Sequence, residues 1–174
     1  MKSFPAMDVC RHIFAKPQWD PGKPLAFGSD KEIFLGSFKG KPAAICVPKA
    51  HAVLRMQNEI SFLRRTGQHP NIASLLYWQT RGCTYLAVEA VEPIGFDLER
   101  LSKQYASAKQ TVPSRLAKSL IGQLCSALEL MHGRGVIHRD VKVENVLVTG
   151  SYEAKLIDLG CSCEVGTREE RWVW

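Results

Sequence analysis

The stretch that most restricts this chain is His138-Arg139-Asp140-Val141-Lys142-Val143-Glu144-Asn145, followed by Leu156-Ile157-Asp158-Leu159-Gly160. Its polar residues lie between short apolar runs: Val136-Ile137, Val146-Leu147-Val148 and Leu156-Ile157. Apolar strands hold the flanks in a core, so Asp140, Lys142, Asn145 and Asp158 must leave that core at loop ends. Taken singly, each could be a loop cap or half of a surface ion pair. Gathered at one mouth, the four make a site for a hard cation and phosphate. Mg²⁺ takes carboxylate and amide oxygens and shares substrate phosphate. Lysine brings a point charge to phosphate oxygens, and the second carboxylate can serve as a base.

The rest of the chain supplies a scaffold of two kinds. Residues 1–24 carry Pro5, Pro17, Pro21 and Pro24 and read as an irregular leader. Residues 25–49 alternate short apolar runs with Gly, which predicts two or three antiparallel strands. Over 51–66 the period changes: Val53, Met56, Ile60 and Leu63 fill one helical face, and Gly67 stands at a C-cap position. The β-branched and aromatic runs 69–80 and 83–91, split by Arg81-Gly82, predict a hairpin. Helical spacing returns over 97–108. It is clearest over 114–132, where Leu116, Leu120, Leu124 and Leu128 recur between Pro113 and Gly133. Strands, helix, strands, helices and then loops with short strands indicate an α+β protein of two lobes, with the boundary near Pro93–Gly95.

On these residues the chain resembles the protein kinase family, serine/threonine class. The eight-residue run is similar to that family's catalytic loop, and Asp158-Leu159-Gly160 to its D-F-G motif. The resemblance covers about 25–163. It implies a two-lobed kinase fold, with an N-lobe over 25–92 built from a small antiparallel sheet and one main helix. A partial, incompletely helical C-lobe follows over 93–174, truncated at the C-terminus within the activation segment. It further implies Mg-ATP as cofactor, Asp140 receiving the substrate hydroxyl proton, Lys142 facing the γ-phosphate, and Asn145 and Asp158 holding Mg²⁺. Lys49 matches the strand lysine that pairs with phosphates, and Glu59 its carboxylate partner. Taken bottom-up, Glu59 lies at the edge of the buried helical face, where a carboxylate wants a cation or faces solvent. Glu89 and Val91 match the hinge that bonds adenine, Val88 the gatekeeper, and Val47 and Leu147 the residues that sandwich the ring. Aligning Ile33 with the residue after the glycine loop puts Ala26, Gly28 and Lys31 at the three glycine positions, so Gly28 alone is kept. Leu63, Leu75, His138 and Leu159 would stack between the lobes.

The implied function is transfer of the ATP γ-phosphate to serine or threonine hydroxyls of a protein, with a regulatory protein as a possible partner. The alternative is a kinase-like nucleotide-binding scaffold. A small-molecule phosphotransferase shares the His-x-Asp…Asn loop, but Arg139 and Lys142 favour the protein-directed class. Composition narrows the partners. In 174 residues the net charge is +6, but Lys and Arg are dispersed, which suits a solvated surface better than nucleic acid. No apolar run reaches the ~20 residues of a membrane helix, and no secretion signal opens the chain. The six cysteines show no C-x-x-C pair and read as reduced thiols of an intracellular, cytoplasmic protein.

Overall fold

The computed structural model describes residues 15–94 and 96–167. Five antiparallel strands form one sheet in the order β1-β2-β3-β5-β4: Gln18–Phe27, Lys31–Phe38, Lys41–Pro48, Leu75–Gln79 and Tyr85–Glu89 for β1 to β5. The hairpin expected around Arg81-Gly82 is β4–β5. Strand β1 starts at Gln18, inside the segment read as leader; residues 1–14 of that segment lie outside the described residues. Two register shifts, between Trp19 and Pro24 and between Pro24 and Ala26, accommodate proline on this edge strand.

Helix α1, Val53–Thr66, buries Met56, Glu59, Ile60, Phe62, Leu63 and Thr66. Gly67 ends it at φ 62°, where a residue without Cβ is favoured, and its N–H reaches the Leu63 carbonyl at 3.1 Å. Helix α2, Leu98–Ser107, starts at Asp97, whose carboxylate accepts from the Arg100 N–H at 2.8 Å. Helix α3, Ser114–Gly133, runs one residue past its expected end, and the left-handed turn is made by Gly135. It buries Leu120, Ala127 and Met131 while Ile121 is 59% exposed, so one face stays open.

Beyond α3 come two small antiparallel pairs. Strand β6, Val136–Ile137, pairs with β9, Cys163–Glu164; β7, Val146–Val148, pairs with β8, Ala154–Leu156. The architecture is therefore α+β, a sheet lobe followed by a helical lobe. One buried cluster joins them, from Cys46, Met56 and Leu63 through Met131 and Val146 to Leu156 and Leu159, with Leu75 packed against it. A smaller cluster (Phe34, Ala43, Ile45, Tyr85, Ala87) lies on the other face of the sheet. Asn71 ties the lobes: its amide donates to Gln123 Oε1 at 3.0 Å and to the Ala154 carbonyl at 2.9 Å. Among the described residues no helix is long and apolar enough to cross a membrane.

Candidate active site

Between the lobes lies a cavity of about 460 Å³. Its walls follow from strand alternation, which sends successive side chains to opposite faces. Lys31, Ile33 and Leu35 of β2 and Ala44 and Cys46 of β3 face the cavity; Phe34, Ala43 and Ile45 face the second core. Val88 and Glu89 at the end of β5 and Ala90 and Val91 just beyond it line another side, and Leu147, Ile157, Asn145 and Asp158 complete the lining. Of the expected nucleotide contacts, Gly28, Ile33, Glu59, Val88, Glu89, Val91 and Leu147 all line this one space.

The catalytic-loop residues also converge. Lys142 Nζ lies 2.9 Å from Asp140 Oδ2, and the Asn145 amide donates to that oxygen at 2.9 Å and to the Asp140 carbonyl at 2.8 Å. Although partial burial works to raise the Asp140 carboxyl, the bonds from Lys142 and Asn145 hold it below the usual carboxylate range. Asp140 is therefore ionised at neutral pH. His138 sets the loop from beneath. The Asp140 N–H donates to its Nδ1 at 3.2 Å, and its Nε2 lies 3.2 Å from the Ile157 carbonyl. A carbonyl only accepts, so the proton sits on Nε2. Burial pulls this imidazole below its ordinary range, against the opposing pull of the Ile157 carbonyl.

The donor set fits a hard cation. Asn145 spends its NH₂ on Asp140, which leaves its amide oxygen for a metal; Asp158 lines the same cavity, next to Ile157, whose N–H donates to the Asn145 carbonyl at 3.0 Å. Asp158 holds left-handed backbone, φ 65° and ψ 73°, a strained conformation of the kind concentrated at functional sites. Its Oδ1 accepts from the Gly160 N–H at 3.3 Å. Leu159 is fully buried behind it, in the cluster that also holds Leu63 and packs against Leu75.

Two expectations are corrected. Val47 lies off the cavity: it falls on the Ala43/Ile45 face of β3 and packs on the second core, while Ala44 takes the place against the cavity. Lys49 does not pair with Glu59. It follows the end of β3, where its N–H is held by the Asp30 carbonyl at 2.8 Å, and among the described residues its side chain makes no ion pair. The cation against Glu59 is Lys31, with Nζ 2.9 Å from Glu59 Oε2 and 3.2 Å from Asp158 Oδ1. Burial by itself would lower the Lys31 ammonium, but the carboxylates of Glu59 and Asp158 outweigh it and hold it above the ordinary lysine range. Burial pushes the Glu59 carboxyl up, with the Lys31 charge opposing.

Sequence reasoning also missed Cys46, Asp97, Arg100 and Glu144 as cavity residues. For Cys46 the signal was present, because the alternation Ala44–Cys46 places it beside the gatekeeper strand. The others depend on how α2 and the catalytic loop meet the sheet.

A sequence model described as the protein kinase domain matches residues 42–173. Cyclin-dependent kinase 11.2 of Caenorhabditis elegans is 28% identical over 94% of this chain and 25% of its own length. Serine/threonine-protein kinase ppk25 of Schizosaccharomyces pombe is 40% identical over 63% of the chain and 25% of its own length. Mouse ribosomal protein S6 kinase alpha-2 is 32% identical over 95% of the chain and 24% of its own length. The chain thus spans about a quarter of the length of these curated relatives.

Proposed function

This chain belongs to the protein kinase domain family, and from that premise we propose that it binds Mg-ATP in the interlobe cavity and passes the γ-phosphate to a serine or threonine hydroxyl of a protein. The observation that carries the reading is the convergence of Asp140, Lys142 and Asn145 in one bonded cluster, with Asn145 and Asp158 lining one cavity of nucleotide size. Asn145 and Asp158 are the residues that would hold Mg²⁺, which would supply charge neutralisation at the phosphates. Asp140 takes the proton as the substrate oxygen forms its bond to γ-phosphorus. The bridging P–O bond to the β-phosphate breaks, and ADP leaves. Lys142, beside Asp140, balances charge on the transferring group. A positioned base contributes typically ~10²–10⁴-fold, and the remaining acceleration comes from orientation and electrostatics.

The class of acceptor rests on Lys142 two residues after Asp140, the serine/threonine pattern. An intracellular site of action is supported by the thiols of Cys46, Cys83, Cys125, Cys161 and Cys163, all of them free. A regulatory protein partner is part of the same proposal. The test has two arms. Mg-ATP raises the melting temperature of the wild type, and Asp158→Ala abolishes the rise; no rise in the wild type removes the nucleotide reading. Radiolabel from γ-labelled ATP enters a generic basic protein with wild type and not with Asp140→Ala. Equal incorporation by the two refutes Asp140 as base.

A further inference from the structure

We infer that Lys31, delivered by β2 from the rim of the loop over the cavity, is the cation that holds nucleotide phosphate in this chain, in place of a lysine on β3. The inference rests on the nucleotide reading above and assigns a role that Lys49 was expected to fill. The register explains how the position moved. Lys31 pairs with Pro48 and Ile33 with Cys46, so Lys31 and Cys46 are diagonal neighbours on the cavity face. Diagonal neighbours lie ~7–8 Å apart, within reach of a long side chain. The thiol at 46 is short, so the Lys31 stem can pass over it to Glu59 and Asp158. A long side chain at 46 would occupy that path.

The electrostatics agree with the geometry. The Lys31 side chain is 15% exposed and lies between Glu59, 6% exposed, and Asp158, a third exposed. The ammonium has three N–H donors. It contacts Glu59 and Asp158 from the cavity side, beside the residues proposed to hold the metal, where phosphate oxygens would meet it. Lys31 is also anchored at its own backbone, since its carbonyl accepts from the Gly28 N–H at 2.9 Å. The neighbouring Asp30 carboxylate accepts from Arg55 on α1. The phosphate-facing loop and α1 are therefore fastened together at two consecutive residues, and the lysine moves with the loop.

Two measurements test the assignment. The first uses the wild-type chain and an acyl-phosphate derivative of ATP. A lysine amine at the phosphates attacks the acyl carbon, the N–C bond forms, the mixed-anhydride C–O bond breaks, and the nucleotide departs. Peptide mass spectrometry is expected to find the acyl group on Lys31 and Lys142, with excess Mg-ATP blocking both. Acylation of Lys142 and Lys49 with Lys31 untouched overturns the inference and leaves the nucleotide reading intact; no ATP-protected lysine at all overturns both. The second measurement is fluorescent-nucleotide binding. Lys31→Met is expected to weaken affinity at least tenfold, and Lys49→Met to leave it within twofold. Lys31→Met/Cys46→Lys, which returns a cation to Glu59, is expected to recover part of the loss, and it decides the matter if Lys31→Met fails to fold. Unchanged affinity in Lys31→Met, or a folded double variant that does not bind, overturns the inference.

Discussion

Removing Lys31 should make the stability of the chain depend on pH in a direction fixed by Glu59. In Lys31→Met the Glu59 carboxyl, 6% exposed, loses a cation at 2.9 Å. At an effective dielectric of ~20 that attraction is roughly 6 kcal/mol. Much of it offsets desolvation, so breaking the pair is expected to cost about 3 kcal/mol, the lower end for an unpaired buried charge. Glu59 can escape by binding a proton. Its folded pKa already stands above the ordinary 4.5 because of burial, and without Lys31 it rises further. The folded variant then holds a proton that the unfolded chain has released, from 4.5 up to the raised value. Stability in that window falls as pH rises, by about 1.4 kcal/mol per unit. At pH 5 the variant should lie within about 1 kcal/mol of the wild type, and at pH 8 it should show the full ~3 kcal/mol. For a chain this long that is a fall of roughly 6–12 °C in melting temperature. Thermal melts at pH 5 and pH 8 measure the difference, with Lys31→Met/Glu59→Gln as a control expected to be flat. The same loss at both pH values would refute the argument that Glu59 and Lys31 stabilise each other as charges.

Three further outcomes are expected. His138 has its folded pKa pulled below 6.5 by burial, so the folded state binds fewer protons than the unfolded chain just below 6.5. Stability should drop as pH falls from 6.5 towards the depressed value; urea titrations in which His138→Gln keeps the same slope as wild type would contradict this. Burial pushes the Cys46 thiol up to about 12, so iodoacetamide at pH 8 should modify the exposed Cys83 and Cys125 and spare Cys46 until urea unfolds the chain. Equal native-state labelling of Cys46 and Cys125 would be the contrary result. Asn71→Ala removes both bonds that tie the β4 approach to Gln123 and Ala154 and should cost about 1–3 kcal/mol, read as a lower urea midpoint; an unchanged midpoint would show that water replaces the amide.

The parts of this molecule legible in the sequence are those where one segment determines its own geometry. Asp140, Lys142 and Asn145 lie within six residues, and bonds among themselves fix their cluster. The α1 face was readable because Met56, Ile60 and Leu63 bury on one helical stripe, and the β4–β5 hairpin because Arg81-Gly82 separates two β-rich runs. Even Glu59 could be picked out, since a carboxylate at the edge of an apolar stripe must find a cation or solvent. Nothing local to α1 says which cation it finds. In sequence, Lys49 matches the family's strand lysine because it closes the run Ile45-Cys46-Val47-Pro48-Lys49.

The register of β2 on β3 selects Lys31 instead, and register is a property of two strands at once. Pairing Ile33 with Cys46 and Lys31 with Pro48 aims residues 31, 33, 44 and 46 into the cavity and turns 43, 45 and 47 away. That one register places Val47 in the wrong layer for a nucleotide and puts a short thiol beneath Lys31. A slip of one residue would send Lys31 to the face of Phe34 and Ile45, among apolar side chains with no carboxylate partner. Such a slip would bury a charge unpaired, at a cost of several kcal/mol. The ion pair with Glu59 and Asp158 therefore selects the register as much as the register delivers the ion pair. It follows that a lysine installed at 46 competes with Lys31 for the same two carboxylates, and Cys46→Lys alone should lower stability where the double variant with Lys31→Met does not. Melting curves of the single and double variants measure that coupling; additive effects would mean that the two positions never share the slot.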